Sequence, residues 1–406
     1  MLLPGSQQIP ISKSGNGIRT PIAKKARARG LCKKDVLVRY FQRTRQLTHR
    51  RARRFTLVLV GSVAVAYALW WLMVLGLTMI TPSLQTSDLP VEGQCVPGNW
   101  PNRISVMTWN LGYAGNGAEA SFFLDGGHDV LAENKPSVLG HMANMADFLG
   151  QHPEDIYLLQ EVDSGSRRTF YVNELELIAK RLNNSCFSYA RNHDVPFIPY
   201  PYLQPLGRVR SGILSAAARR PVEARRYKLP GSFHWPDSAF QLQRCLLVWR
   251  LPREDGADWV VINAHLEAWD DGNIRKQELT LLRDLALEEC KRGSYVIIGG
   301  DWNSILPGVR TDQFSTKEGP GPNSRPLPDG LFPADWSWGV DTSQPTNRRT
   351  NAPYRPGTTY VTVIDGFLVS PNVKIDSVTT VRLGFKDTDH EPVIVHVIGS
   401  PPFADP

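Results

Sequence analysis

From Phe55 to Ile80 the chain reads FTLVLVGSVAVAYALWWLMVLGLTMI, an apolar run without one charge. About twenty such residues cross the hydrocarbon core of a bilayer as a helix, so the run predicts one transmembrane helix over 55–80. A core helix of a soluble domain keeps a polar face, which this segment lacks. A cleavable export signal is shorter and begins near the N-terminus, whereas residues 1–54 precede this one. The flanks differ: Arg50, Arg51, Arg53 and Arg54 abut the N-terminal end, and TPSLQTSDLPVEG on the other side carries no Lys or Arg. That asymmetry predicts a single-pass protein of the cell membrane, with residues 1–54 cytoplasmic and the rest periplasmic or extracellular. Trp70 and Trp71 fall in mid-segment and are expected to pack on lipid or another helix.

The net charge of +7 has to be divided along the chain. Residues 1–54 hold fifteen of the 46 Lys and Arg and one of the 39 Asp and Glu, leaving 31 basic against 38 acidic residues in 55–406. The first thirty residues have no apolar periodicity, and 1–54 is expected to be a largely disordered basic tail that fixes topology. The remainder lacks the broad positive field of a non-specific nucleic-acid binder, so nucleic acid is a partner not favoured. Cys95, Cys186, Cys245 and Cys290 follow the membrane run and form no CxxC pair, which argues against structural zinc. They allow three disulfide connectivities, and buried free thiols are the simpler expectation.

Residues 81–103, with Pro82, Pro90, Pro97 and Pro101, read as a stiff linker, and a domain is expected over 104–397 with a short tail at 398–406. Strand-like runs are ISVMTW (104–109), DIYLLQ (155–160), WVVINAH (259–265), YVIIGG (295–300), YVTVIDGFLV (360–369) and EPVIVHV (391–397). Helical periodicity appears over 138–149, 174–182 and 274–291, so the class is α/β (α+β). Residues 304–357 are rich in Pro and Gly and contain Trp336, Trp338, Arg348, Arg349 and Arg355, a length of loop that is usually functional or disordered.

Polar residues recur where these runs end. Asn110 follows ISVMTW, Glu161 follows DIYLLQ, His265 closes WVVINAH, Asp301 and Asn303 follow YVIIGG, Asp365 lies in YVTVIDGFLV, and Asp389 and His390 precede EPVIVHV. Taken singly, each has an ordinary reading: Asn and Asp often terminate strands, and a lone His or Glu is commonly a hydrogen-bonded or solvated side chain. Six separate strand ends carrying Asn, Glu, Asp or His together point to a metal-binding, proton-transferring centre.

The ordered segments TWN (108–110), LQE (159–161), NAHL (263–266), GDWN (300–303), IDGFLVS (364–370) and TDHEP (388–392) resemble the endonuclease/exonuclease/phosphatase superfamily. The resemblance implies a four-layer sandwich, two packed mixed β-sheets flanked by helices, here preceded by the transmembrane helix. It implies that Glu161 is the principal ligand of Mg²⁺ or Mn²⁺, with Asn110 and Asp389 as further ligands. Asp301 and Asn303 would position and deprotonate water. His390, held by Asp365, would stabilise phosphoryl charge, and His265 would contact phosphate and assist the leaving oxygen.

Ser304 to Leu306, LGYAGNG after Asn110 and Ile364-Asp365-Gly366 depart from the phosphoinositide and apurinic-site branches, so no substrate transfers with the resemblance. Arg167, Arg168, Tyr171, Asn192, Arg210 and the arginines of 304–357 are candidate holders of substrate phosphate. The expectation is a bilayer-anchored hydrolase of phosphodiesters or phosphomonoesters, on a lipid headgroup or small phosphorylated metabolite, without a stable protein partner. The alternatives are an exported nuclease and a catalytically inactive tethered binding module.

Overall fold

The computed structural model describes residues 33–400 apart from Asp255, Asp270, Asp271, Pro322 and Asn323. The expected disorder of the first thirty residues, Cys32 and most of the 398–406 tail lie outside the described residues. Two units divide the chain, Met1–Met73 and Val74–Pro406.

Helix α1 runs Lys33–Ile80, and within it Leu37–Ile80 is long and apolar enough to cross a membrane. Its start corrects the expected tail, since residues 33–54 are helical. Arg, Leu, Gln and Lys are strong helix formers, and no Gly or Pro interrupts the segment before Gly61. The side chains of the apolar stretch are mostly exposed, as lipid-facing ones would be.

The second unit is built on strands β1 (Ser87–Asp88), β2 (Glu92–Gly93), β3 (Arg103–Asn110), β4 (Ile156–Asp163), β5 (Cys186–Ile198), β6 (Gly207–Ala217), β7 (Glu223–Lys228) and β8 (Cys245–Leu251). These continue through β9 (Trp259–His265), β10 (Tyr295–Asp301), β11 (Ser337–Gly339), β12 (Asn347–Arg348), β13 (Val361–Thr362), β14 (Asp365–Val369), β15 (Val373–Thr380) and β16 (Val393–Gly399). Helices α2 (Lys135–Gln151), α3 (Glu174–Arg181) and α4 (Asn273–Lys291) match the three predicted periodic segments within a few residues. Helix α2 opens on Asn134, whose side chain accepts from Ser137 N at 2.9 Å, with Pro136 in its first turn.

Two seven-stranded sheets form, ordered β1-β7-β8-β9-β10-β14-β11 and β15-β16-β3-β4-β6-β5-β2. Both are mixed: β9/β10 and β3/β4 pair parallel, their other neighbours antiparallel. Their inner faces share one apolar core containing Val106, Leu158, Trp249, Val261, Ile297 and Phe367. Helices α2 and α3 cover the outer face of the second sheet through Met142, Leu149 and Ile178, and α4 covers the first through Leu279, Leu282 and Ala286. The result is the four-layer arrangement expected from the sequence.

Three details differ from the sequence reading. Residues 81–103 are not a free linker: β1 and β2 form one edge of each sheet, a place where prolines that cannot donate to a ladder are tolerated. Cys95 and Cys186 form a disulfide with Cα atoms 5.1 Å apart, while Cys245 and Cys290 are free. Within 304–357, Leu306, Leu327, Phe332 and Trp336 are buried on the outer face of the first sheet, so part of this stretch packs into the fold.

Candidate active site

The parallel pairing of β9 and β10 sets His265 opposite Asp301, and the antiparallel pairing of β10 and β14 sets Asp301 opposite Asp365. Three functional candidates therefore occupy one transverse row. The run read as a single strand over 360–369 is two, β13 and β14, and Asp365 opens β14 rather than ending it. Because β14 runs against β10, its first residue meets the last residue of β10. Gly300 makes the close approach feasible: its φ is +155°, and a Cβ there would stand 1.9 Å from Ala264 O. Beyond Asp301, Trp302 is buried and donates from Nε1 to Gly366 O at 3.2 Å. Asn303, at φ +47°, donates its N–H to Asp301 Oδ1 at 2.8 Å and its amide to Leu266 O at 2.8 Å.

The second sheet supplies its residues by a different device. Tyr157 and Leu159 face the helices by strict alternation, and the next such residue is Val162, three positions on. Leu159 pairs with Leu214 and Val162 with Gly212, so β4 spends one residue more than β6. This is a β-bulge, and Glu161, at φ +54°, lies in it. The kink turns its carboxylate away from the helix layer towards Asn110 Nδ2 (3.4 Å) and His265 Nε2 (3.7 Å). Asn110, last residue of β3, also donates to Asp301 Oδ2 at 3.0 Å, joining the two sheets. Behind it Gln160 donates to Thr108 Oγ1 (3.1 Å) and Asn263 Oδ1 (2.8 Å), a buried polar tie between the sheets.

The loop before β16 closes the cluster. Thr388 Oγ1 donates to Asn110 O at 3.1 Å, and Trp109 Nε1 donates to His390 O at 3.0 Å. His390 Nδ1 lies 2.8 Å from Asp365 Oδ2, and its Nε2 lies 3.7 Å from Asp301 Oδ2 and 3.0 Å from the Asn347 amide. Asp365 is steadied by the N–H of its own residue bonding to Thr346 Oγ1 at 3.1 Å. Asp389 sits beside Gly112, where an added Cβ would be 2.6 Å from Asp389 Oδ1.

Burial and the charge of Asp389 push the Glu161 carboxyl up to about 7, against the pull of Arg168 and His390. Burial raises Asp365 to about 6 although His390 opposes it. Burial lowers His390, but Asp365 and Asp301 more than offset it and hold this imidazole well above its usual range. His265 moves the other way, kept neutral by burial and by the nearby Arg244 and His390 cations.

Acidic oxygens crowded strongly enough to raise a carboxyl are what a divalent cation relieves, and the carboxylates of Glu161 and Asp389 suit Mg²⁺ or Mn²⁺, which Asn110 would join by an amide flip, since its oxygen here accepts from Gly112 N–H at 3.0 Å. Asp301, Asp365 and His390 also offer one ligand atom each within 4.8 Å of one another. His390 faces Asp365 with one ring nitrogen and Asp301 with the other, an arrangement suited equally to relaying a proton.

The five expected substrate contacts are less uniform. Arg168 grips Asp163 through two hydrogen bonds of 3.0 and 2.8 Å and stacks 3.6 Å over the Tyr113 ring, so its guanidinium is committed inside the protein. Arg167 donates to Pro205 O. Asn192 is buried, Arg210 lies 3.6 Å from Asp194, and Tyr171 is exposed. Among residues not anticipated, Thr346 and Asn347 come from the Pro- and Gly-rich 304–357 stretch, which offered no periodic signal. Gln160 and Asn263 had one, being polar positions inside buried strands.

A model of the Endonuclease/Exonuclease/phosphatase family matches residues 107–390. A search of curated proteins finds no match to this sequence. Among solved structures, an endonuclease/exonuclease/phosphatase from Beutenbergia cavernae is 17% identical, with 74% of this chain and 73% of that one covered and a TM-score of 0.48. D. rerio TDP2, complexed with single-strand DNA product, is 14% identical over 73% of this chain and 99% of its own, with a TM-score of 0.47. The human Nocturnin catalytic domain with bound sulfate anion is 15% identical over 75% and 97%, with a TM-score of 0.46.

Proposed function

This chain belongs to the Endonuclease/Exonuclease/phosphatase family, and from that premise we propose that it is a divalent-metal-dependent phosphoesterase anchored in a membrane by α1. The observation that carries the reading is the meeting of the His265–Asp301–Asp365 row with Asn110 and Glu161 from the facing sheet. Glu161, Asn110 and Asp389 would hold the cation, Mg²⁺ or Mn²⁺, which when bound neutralises charge on the phosphoryl oxygens.

The chain's own groups perform the rest. Asp301, fixed by the Asn110 amide and the Asn303 N–H, orients the attacking water and takes its proton. His390, charged and held by Asp365, donates to a phosphoryl oxygen as negative charge develops there. His265, neutral and buried, contacts phosphate and supports the leaving oxygen. Tyr171 and Arg210 remain proposed substrate contacts, whereas Arg168 acts indirectly by steadying Glu161.

The substrate is a phosphodiester or phosphomonoester of a lipid headgroup or small metabolite rather than nucleic acid, because residues 55–406 carry more acid than base. The disulfide Cys95–Cys186 favours an oxidising compartment, in keeping with export of residues 81–406 across the cell membrane.

The test uses the full chain in non-ionic detergent with Mg²⁺ and the generic substrates bis-p-nitrophenyl phosphate and p-nitrophenyl phosphate. Hydrolysis of at least one is expected, abolished by EDTA and lowered about 10³-fold by His390→Ala. Activity that survives both would refute the proposal.

A further inference from the structure

Outside the catalytic cluster, a cavity of ≈ 540 Å³ lies where the last turn of α1 and the residues after it meet residues 228–244. Thr78, Thr81 and Ser83 line one side, Ser238 and Gln243 another, and Lys228 brings an exposed cation. The position is held by hydrogen bonds rather than by a slack tether. Gln243 Nε2 donates to Pro82 O at 2.7 Å, and Gln243 Oε1 accepts from Leu84 N at 2.8 Å. Trp235, half exposed, donates from Nε1 to Thr78 Oγ1 at 3.3 Å, and such an amphipathic ring is favoured where bilayer meets water. Gly231 lets the segment run close to α4: a Cβ there would stand 2.8 Å from Ile274 Cγ2.

We propose that this cavity binds the zwitterionic phosphate headgroup of a membrane phospholipid. The inference rests on the reading that α1 spans a bilayer, which sets the cavity at the helix's final turn at headgroup depth. Hydroxyl and amide groups with one exposed ammonium suit a phosphate, and Leu229, Phe233 and Ile274 give the glycerol an apolar side. The ionisable lining, Lys228 and Arg244 against Glu267 and Glu278, sums to no net charge, which fits a zwitterion better than an anion.

The inner wall reaches the catalytic cluster. Arg244, paired with Glu267 at 3.0 Å, also donates to His265 O at 3.3 Å. Occupancy of the cavity therefore bears on the backbone that carries a catalytic histidine.

The experiment measures Tm of the detergent-solubilised full chain with dihexanoylphosphatidylethanolamine below its micelle concentration. Wild type is expected to gain about 2–5 °C at saturation. Ser238→Trp, which fills the cavity, and Lys228→Ala, which removes only an exposed side chain, should lose most of that gain. An equal gain in both variants, an equal gain with free phosphoethanolamine, or no gain in wild type overturns the assignment. Alkaline washing of membranes from expressing cells separates this from failure of the anchor: a chain that stays bound without a lipid-dependent shift refutes the cavity alone, and a chain that washes off refutes both.

Discussion

The two walls of the candidate active site are built by opposite means. On the first sheet, His265, Asp301 and Asp365 fall into line because three strands keep perfect register, with Gly300 as a concession to backbone crowding. On the second sheet, Glu161 arrives only because register is broken, at a positive φ that costs an L-residue on the order of 1–2 kcal/mol. Regular pairing places several groups together cheaply but fixes where each must point. A bulge spends stability to aim one group that alternation would have sent to the helix layer.

This contrast predicts effects of opposite sign on the two walls. Gly300→Ala should produce the largest change in stability, about 3 kcal/mol or more of destabilisation by urea unfolding, because the new Cβ meets backbone rather than a movable side chain. A loss below about 1 kcal/mol would show that β9 and β10 separate easily and that the row is not rigid. Glu161→Gly should go the other way, gaining on the order of 1 kcal/mol while activity disappears, since it relieves the backbone and removes a half-buried carboxyl raised to about 7. Destabilisation by that change would mean the bulge is held by the carboxylate rather than against it.

A pH-dependent effect concerns the loop that carries Asp389 and His390. His141 Nδ1 and Nε2 each lie 2.9 Å from a carboxylate, Asp387 and Glu119, and these raise His141 to about 9 despite the opposing effect of burial. A folded pKa above the unfolded one, ~6.5, gives stability that is full below ~6.5 and fades as pH rises through about 9. Wild type should therefore exceed His141→Gln in stability at pH 6, with the gap closing by pH ~9.5 in parallel denaturation curves. A gap independent of pH would assign the difference to packing.

How much of this was legible beforehand follows the same division. The apolar runs ending in Asn110, His265 and Asp301 announce themselves because strands buried on both faces read as continuous hydrophobic stretches. Glu161 was readable as a residue after DIYLLQ but not as a bulge, because a register shift leaves no periodic trace. Strands β5, β6, β7 and β15 escaped notice because segments such as GRVRSGILSAA and EARRYK mix charge with apolar residues, and tertiary pairing overrides such weak local preference, whereas β8, CLLVWRL, was missed although it is nearly all apolar. Asn347 escaped for a related reason: its placement beside His390 depends on a two-stranded pairing of β12 with β13 inside a Pro- and Gly-rich stretch. The helix from Lys33 shows the reverse error, where a lack of apolar periodicity was extended as disorder to Arg54 although residues 33–54 favour helix.

The most direct test of a metal held by the second wall is Mn²⁺ binding to the full chain followed by electron paramagnetic resonance. The account predicts a site weakened ~10-fold or more by Glu161→Gln and retained in Asp365→Asn, which should nonetheless be inactive. Binding that ignores Glu161→Gln and vanishes in Asp365→Asn would contradict it, moving the ion to Asp301, Asp365 and His390.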